Sequence, residues 1–409
     1  MKFIVQKFGG TSVADHDRRS LVVDKIGNAI KNDYFPIVVV SAIGRSGDPY
    51  ATDTLINFAK SAGVEPNARE LDLLMSCGEI ISCVVLANTL KKNRYEAKVF
   101  TGGQAGIITD NNYGDAEIIR VEPDSILACM ENNIIPIIAG FQGITEDGNI
   151  TTLGRGGSDV TAAIIGEAID AEFVEIYTDV DGVMTADPNI VHDAKVMETV
   201  YYDEVFQMAE YGAKVIHPRA VEIAMRSNIP LLIKNTLKES NGTLITNYDK
   251  SRRYRQDKDD KIITSIAQIG NRTQFKVIFD GSAKQYEDDT ILFNIIAAEK
   301  ISIDMINIYP DIKVFIVDGA IESRLKDILA SQGYNFEIIS NCTKVTIIGN
   351  RMRGIPGVMA KMVEALNENN IEILQTSDSH TTISCLIKSD KTNIAINALH
   401  KKFELDKDR

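Results

Sequence analysis

The residues with the most chemistry per unit length lie between Gly154 and Ala163, in the stretch GRGGSDVTAA. Three glycines, an arginine and a carboxylate fall within six residues, and small and apolar side chains (Ala162, Ala163, Ile164, Ile165) carry the pattern on as a helix. A helix N-terminus presents unpaired N–H groups and partial positive charge to an anion. Gly156 and Gly157 let the backbone approach a ligand closely, the Arg155 fork suits a carboxylate, and Ser158 and Asp159 follow where a hydroxyl and a cation-orienting carboxylate are useful. The stretch therefore reads as a cradle for phosphate or carboxylate, with a plain packing turn as the alternative.

Four other groups join it. Lys7 stands two residues before Gly9-Gly10 and is followed by Thr11 and Ser12, a way to hold phosphoryl oxygens. The spacing GxxxxGK[ST] is absent, which disfavours a P-loop fold. Glu79 interrupts the apolar run Leu71 to Leu90 and is either a core carboxylate satisfied by backbone donors or the partner of a ligand's ammonium group. Thr178, Asp179 and Asp181 follow an apolar strand, where open α/β sheets bind nucleotides; an ordinary Asx-turn loop is the alternative. Lys214 lies among small and apolar neighbours on an element bounded by Pro218, and His217 and His380 read first as structural histidines.

Positioning these groups requires a layered scaffold. Apolar strands at Phe3 to Val5, Ile37 to Val40, Ala97 to Thr101, Ile134 to Ala139 and Phe173 to Thr178 alternate with helices around Arg18 to Ile30 and Leu71 to Leu90. A further helix is expected to open with Thr52 and Asp53 as caps. Alternating βα units of this kind predict a mostly parallel sheet covered on both faces, with Ser41 at a strand's C-terminal edge. A wholly polar stretch from Asn247 to Lys261 marks a boundary. Beyond it the chain repeats: Ile301 to Ile303 matches Ile371 to Ile373 and Phe315 to Val317 matches Cys385 to Ile387 at an offset of 70, while Lys276-Val277 matches Lys344-Val345 at 68. Two βαββαβ modules are expected. The expected domains are residues 1–247, 262–340 and 341–409, with the first module open to borrowing C-terminal residues.

Composition narrows the function classes. The 409 residues are 44% hydrophobic and 25% charged, ordinary for a folded enzyme, and 57 acidic against 44 basic residues leave a net charge of −13. Such a balance argues against nucleic acid and anionic membranes as partners. No apolar stretch approaches the ~20 residues of a membrane span, and no secretory signal is recognised, so a cytoplasmic location is expected. The five cysteines (Cys77, Cys83, Cys129, Cys342, Cys385) form no CxxC pair and read as reduced, mostly buried side chains. Three Asn-x-Thr triplets (Asn241, Asn271, Asn341) have no use as glycosylation sites in that compartment.

Seven motifs then occur in the order found in aspartate kinases: VQKFGGTS (Val5 to Ser12), VVSA (Val39 to Ala42), SCGE (Ser76 to Glu79), GRGGSD (Gly154 to Asp159), YTDVDG (Tyr177 to Gly182), ADP (Ala186 to Pro188) and GAKVIHPRAV (Gly212 to Val221). The chain resembles that family along essentially its whole length, and the C-terminal modules resemble its tandem ACT domains. The resemblance implies a three-layer, open, mostly parallel α/β sheet of the amino-acid-kinase (carbamate-kinase-like) fold plus two ferredoxin-like ACT domains. It implies a monofunctional enzyme that phosphorylates the β-carboxylate of L-aspartate from ATP carrying Mg, with no metal held directly by the protein. An acetylglutamate-kinase-like enzyme and a catalytically inactive ACT sensor are the alternatives.

Carried over by motif, Lys7 and Lys214 neutralise the phosphates, Phe8, Gly9 and Gly10 cradle them, and Asp159 organises the lysines. Glu79 takes the ammonium of aspartate and Arg155 a carboxylate, with Ser41, Thr52, Gly156 and Ser158 assisting. Thr178, Asp179, Asp181 and Met184 line the nucleotide. Many relatives have arginine where this chain has Asn189 and an aromatic where it has Met184; Lys195 is available in their place. Only the second module keeps a Gly-x-Pro-Gly turn (Gly354 to Gly357). Around it, Arg353, Gly357, Asn370, Ile371 and Gln375 are the expected contacts of an amino-acid effector. GRSGDPYATD and ILQTSDSHTTI are similar to the diaminopimelate-inhibited subtype, which puts meso-diaminopimelate ahead of lysine and threonine. A homodimer or dimer of dimers through the ACT domains is also implied.

Overall fold

Val38, Val39 and Val40 are each wholly buried, as a β-branched run enclosed on both faces must be. The computed structural model describes residues 2–213, 215–247, 262–279, 285–349, 352 and 355–407. Its residues fall into two compact units: Met1–Val183, Val196–Ala209 and Lys214–Gln256 in one, and Met184–Lys195, Glu210–Ala213 and Asp257–Arg409 in the other.

The first unit is built on an eight-stranded sheet. Its order is Thr199–Tyr201, Thr243–Thr246, Leu231–Asn235, Phe173–Thr178, Lys2–Phe8, Tyr34–Val40, Ile135–Ala139, Ala97–Phe100, and the single antiparallel pairing joins Thr243–Thr246 to Leu231–Asn235. Alternation along Lys2–Phe8 sends Phe8 to one face, where it stacks on Tyr177 at 4.8 Å between ring centres. There it joins Val22, Ile26, Leu86 and Leu90 from the helices His16–Lys31 and Ala68–Lys92. Val5 points to the opposite face, where Gly166 of helix Gly157–Ala168 lets that helix lie close to Val5 and Val174. Each such aliphatic side chain contributes about 1.5–3 kcal/mol on burial.

Helix Ala68–Lys92 is longer and more apolar than the sequence reading allowed, enough to cross a bilayer by length and composition. Its buried residues include Asp72 and Glu79 as well as Cys83, Leu86 and Leu90, the mark of a globular unit's core helix. Helix Thr52–Lys60 begins at the expected place, but Ala51 rather than Thr52 is its cap. A second sheet of four short strands, Ile118–Val121, Ile107–Thr109, Gln142–Thr145 and Ile150–Thr152 in that order, was not anticipated; it delivers the chain to Gly154.

The second unit carries one antiparallel six-stranded sheet ordered Asp304–Ile308, Ile312–Asp318, Ser265–Ile278, Asn335–Ile348, Thr382–Lys388, Gln375–Asp378. Its two central strands, of 14 residues each, are shared. Phe275 pairs with Phe315 in one half and Val345 with Cys385 in the other, so the repeat keeps an offset of 70 here too, and the 68 offset is corrected. Asn271 and Asn341, 70 apart, both take left-handed φ values (52° and 56°) where the strands kink from one module into the next. The fourth strand of the second module is supplied by Ser265 to Ile269, upstream of the first module, whereas the first is closed by Asn335 to Ile339.

Met184–Lys195 packs with this unit. The Ile266 N–H donates to the Thr185 carbonyl (2.8 Å), the Thr185 hydroxyl meets His400 Nε2 at 2.9 Å, and Ala186 and Val191 share a core with Val345 and Leu399.

Candidate active site

The C-terminal ends of the central strands of the first unit converge on one cleft of about 530 Å³. Lys7, Gly10, Ser41, Thr52, Glu79, Arg155, Gly156, Ser158 and Asp159 all line it, from five separate stretches of sequence. Chain reversals here are tight: Gly9 N–H donates to Tyr177 O, Ser41 N–H to Phe8 O and Gly44 N–H to Gly10 O, each at 3.1 Å. A Cβ on Gly10 would run into the carbonyl oxygens of Ala42 and Gly44, so glycine is required by packing before any ligand is considered. Phe8 itself is buried in the sheet.

Lys7 and Asp159 form an ion pair at 2.6 Å with side chains only 12% and 13% exposed. Alternation along Lys2–Phe8 puts Lys7 on the face covered by Gly157–Ala168, and Asp159 lies in that helix's first turn. The helix cap is Gly156, which brings no side chain to its N-terminus and leaves that end to a ligand. Gly154 and Gly156 both adopt left-handed φ values (71° and 69°), so Arg155 is exposed between two residues that only glycine fills easily.

Glu79 is a buried carboxylate that lines the cleft and is held on one side by a backbone donor. One carboxylate oxygen accepts the Ala42 N–H at 3.1 Å, and the other has no hydrogen-bond partner among the described residues. Burial drives its pKa up to about 8, partly opposed by the backbone N–H donors. A carboxyl group held in this way gives up its proton more readily when a cation enters beside it.

The nucleotide-side residues sit in a different setting. Asp179 is ion-paired with Arg45, Thr178 Oγ1 donates to Asp179 at 3.2 Å, and Asp181 accepts from Asn235 at 2.6 Å and Lys238 at 3.3 Å. Asn235, Lys238 and the cleft residue Phe141 escaped the sequence reading, and Arg45 entered it only within GRSGDPYATD, with no role of its own. Arg45 and Phe141 adjoin quoted buried strands, but nothing in their spacing marks them. Met184 belongs to the second unit, and there Asn189 closes an Asx turn on Asp187 with both its N–H and its side-chain amide at 2.9 Å. His217 caps helix Pro218–Ser227 through Arg219 N–H. Lys214 and Arg353 lie outside the described residues. No group of three or more His, Cys, Asp or Glu suited to a metal occurs among the described residues.

In the second unit Gly357 has φ 96° and open space where a Cβ would stand. Ile371 is buried, and Asn370, with φ 53°, mirrors Lys300 (φ 54°) in ending a helix in the left-handed conformation. Gln375 is engaged: it accepts from Gln274 at 2.9 Å and donates to Asn307 at 2.6 Å and to the Met305 carbonyl.

A largely buried lysine–carboxylate pair at a glycine-capped helix, on the open ends of a parallel sheet, fits a phosphoryl-transfer protein without a P-loop. Residues 2–235 match the amino acid kinase family and residues 337–401 an ACT domain. Within that class the chain belongs to the aspartokinases. It is 45% identical to aspartokinase 1 of Bacillus subtilis (strain 168) over 409 residues, the whole of both chains. Its fold is similar to that of E. coli aspartokinase III in complex with aspartate and ADP (R-state), with TM-score 0.78 and 24% identity over 98% of this chain and 99% of that one. The same enzyme in complex with lysine and aspartate (T-state) matches at TM-score 0.72 and 25% identity, with the same coverage.

Proposed function

We propose that the protein transfers the γ-phosphoryl group of ATP to the β-carboxylate of L-aspartate, giving 4-phospho-L-aspartate. The observation that carries this reading is the single cleft in which Lys7–Asp159, Glu79 and Arg155 meet. Aspartate is a small dianion with one ammonium group. Glu79 takes the ammonium, Arg155 a carboxylate, and Ser41, Thr52 and Ser158 complete the polar lining. Because the attacking carboxylate is already ionised, no general base is required. Catalysis reduces to alignment and to screening the repulsion between two anions, the task of Lys7, Lys214 and the N-terminus of Gly157–Ala168. Gly9 and Gly10 bring backbone to the phosphates, and Thr178, Asp179 and Asp181 border the nucleotide. Mg fits as a companion of ATP, since Asp159 is already neutralised by Lys7; bound there it spreads phosphate charge.

Regulation by an amino acid at the ACT modules completes the reading, with meso-diaminopimelate first, then lysine and threonine. The outer strands Asp304–Ile308 and Gln375–Asp378 have unpaired edges, and Ile306 and Ile308 are exposed, which favours assembly of these modules into a homodimer or dimer of dimers. A cytoplasmic location follows from the substrates.

Trapping the acyl phosphate with hydroxylamine tests the proposal. Product is expected with aspartate and ATP, not with glutamate or N-acetylglutamate, and is expected to fall when one of the three effectors is added. Turnover of glutamate or N-acetylglutamate in place of aspartate would overturn the substrate, and indifference to all three effectors would remove the regulation alone.

A further inference from the structure

Helix Ala68–Lys92 carries a second buried carboxylate that the reading above leaves without a task. Asp72 is 0% exposed, and among the described residues no lysine or arginine pairs with it. Its Oδ2 accepts the N–H groups of Gly114 (3.0 Å) and Thr152 (2.8 Å), and its Oδ1 accepts the Thr152 hydroxyl (2.8 Å). A fully buried carboxylate is retained only where several donors converge on it, and here all three belong to chain that leads into or flanks Gly154.

The approach to Arg155 is secured at each backbone group. Thr152 N–H is held by Asp72, Thr152 O by Ala116 N–H (2.9 Å), Leu153 N–H by Phe141 O (2.9 Å) and Leu153 O by Arg219 Nη1 (2.9 Å). The same guanidinium also donates to Asp115 (3.1 Å) and to Ala116 O (3.2 Å). Past Leu153, Gly154 O accepts the Gly157 N–H (3.1 Å), which closes a turn around Arg155. Gly154 and Gly156 are both left-handed, Arg155 is exposed between them, and its side chain has no hydrogen bond or ion pair among the described residues. With no partner of its own, the side chain takes its direction from the placement of that turn, and hence from the fixed residues that lead into it.

Asp72 and Glu79 are seven residues apart, two helical turns, which places them on one face of a single rod about 10.5 Å apart along its axis. One rigid element thus bears the carboxylate facing the cleft and the carboxylate that anchors the arginine loop.

We infer that Asp72, seconded by Arg219, is a positioning residue for Arg155: through Thr152 and Gly114 it fixes where the arginine meets the carboxylate of the substrate. This rests on the assignment of Arg155 to aspartate, and the test separates the two. Steady-state kinetics would be measured on the full chain for Asp72→Asn, Arg155→Lys and the double variant. Asn is nearly isosteric and can keep two acceptances while its NH₂ turns to the Thr152 hydroxyl, so the fold is expected to survive. Asp72→Asn should raise the KM for aspartate about three- to tenfold, with kcat and the KM for ATP within twofold. Added to Arg155→Lys it should do little more, because both act on one contact. An unchanged KM for aspartate, with or without a lowered Tm, would leave Asp72 a brace of the small sheet and overturn the inference. So would full multiplication of the two effects. Arg155→Lys with unchanged KM would fault the arginine's role itself. Should Asp72→Asn not fold, Arg219→Lys, which loses the fork on Leu153 O and Ala116 O, must show the same KM-only change.

Discussion

The two ends of the proposed site, the cleft and the Thr178 to Asp181 loop proposed to border the nucleotide, hold their charges by opposite means. At the amino-acid end Glu79 is 2% and Asp72 0% exposed, and Asp72 anchors the arginine loop. At the nucleotide end the Asp179 and Arg45 side chains are 42% and 70% exposed, and those of Asp181 and Lys238 38% and 67%. Charges in a dry, fixed setting discriminate sharply because neither water nor salt substitutes for a missing partner. Exposed pairs contribute little and rearrange easily. On the proposed assignment, selectivity among amino acids belongs to the buried end, while ATP, which brings its own charge, needs mainly backbone and room.

The largest test of this contrast strikes where the ends meet. Asp159→Ala removes the partner of Lys7 at the helix start and should cut kcat by about 10²-fold or more in a protein that still folds, since a preorganised charge of this kind acts on the transition state. Stopped assays on the purified variant decide it, and near-normal turnover would remove Asp159 from the catalytic group. The next effect belongs to the buried end alone. Glu79→Gln should raise the KM for aspartate by about ten- to a hundredfold and spare ATP, the usual loss for a hydrogen bond to a charged group. If ATP affinity falls instead, the two ends have been assigned the wrong way round.

The same residue gives a pH signature. With its pKa raised to about 8 in the empty cleft, Glu79 is mostly protonated at neutral pH and must lose that proton to meet an ammonium group. The KM for aspartate should therefore fall about tenfold per unit as pH rises toward 8, flatten above it, and lose this slope in Glu79→Gln. The sign for folding is the reverse. The folded form of the ligand-free protein keeps a proton that the unfolded chain releases near 4.5, so this group's contribution to stability is full below that value and is lost as pH climbs through about 8.

How much of this could be read from sequence follows the same division. The cradle was legible because glycine reports backbone geometry: Gly154 and Gly156 do take φ values that other residues avoid. Glu79 was legible as a carboxylate in an apolar run, and the same signal seven residues earlier, Asp72 within Glu-Leu-Asp-Leu-Leu, went unread. The four-stranded sheet was not legible, since three- and four-residue strands leave no period to detect. Nor was the allegiance of Met184–Lys195, which follows the nucleotide loop in the chain but bonds to Ile266 and His400, partners that only the fold brings near. The Asn-x-Thr triplets at 271 and 341 had a plainer meaning than modification. Asparagine tolerates the left-handed turn at which each long strand passes between modules.

The smallest expected effect is the sharpest check on the contrast. Arg45→Ala breaks the ion pair with Asp179 and leaves that carboxylate facing the region assigned to the nucleotide. If the pair were a buried clamp, its loss would cost as much as the changes at Glu79 or Asp159. Being largely exposed, it is worth at most about 1 kcal/mol, so the KM for ATP should rise no more than about fivefold at low salt. Half a molar salt should erase the difference from the parent protein, because the Debye length there is only about 4–5 Å and the added repulsion between Asp179 and the phosphates is screened. Initial rates across ATP concentrations at both salt levels measure this directly. A large, salt-insensitive loss would place Arg45 against the phosphates in the working enzyme and give the nucleotide end a fixed charge of its own, ending the contrast between the two ends of the site.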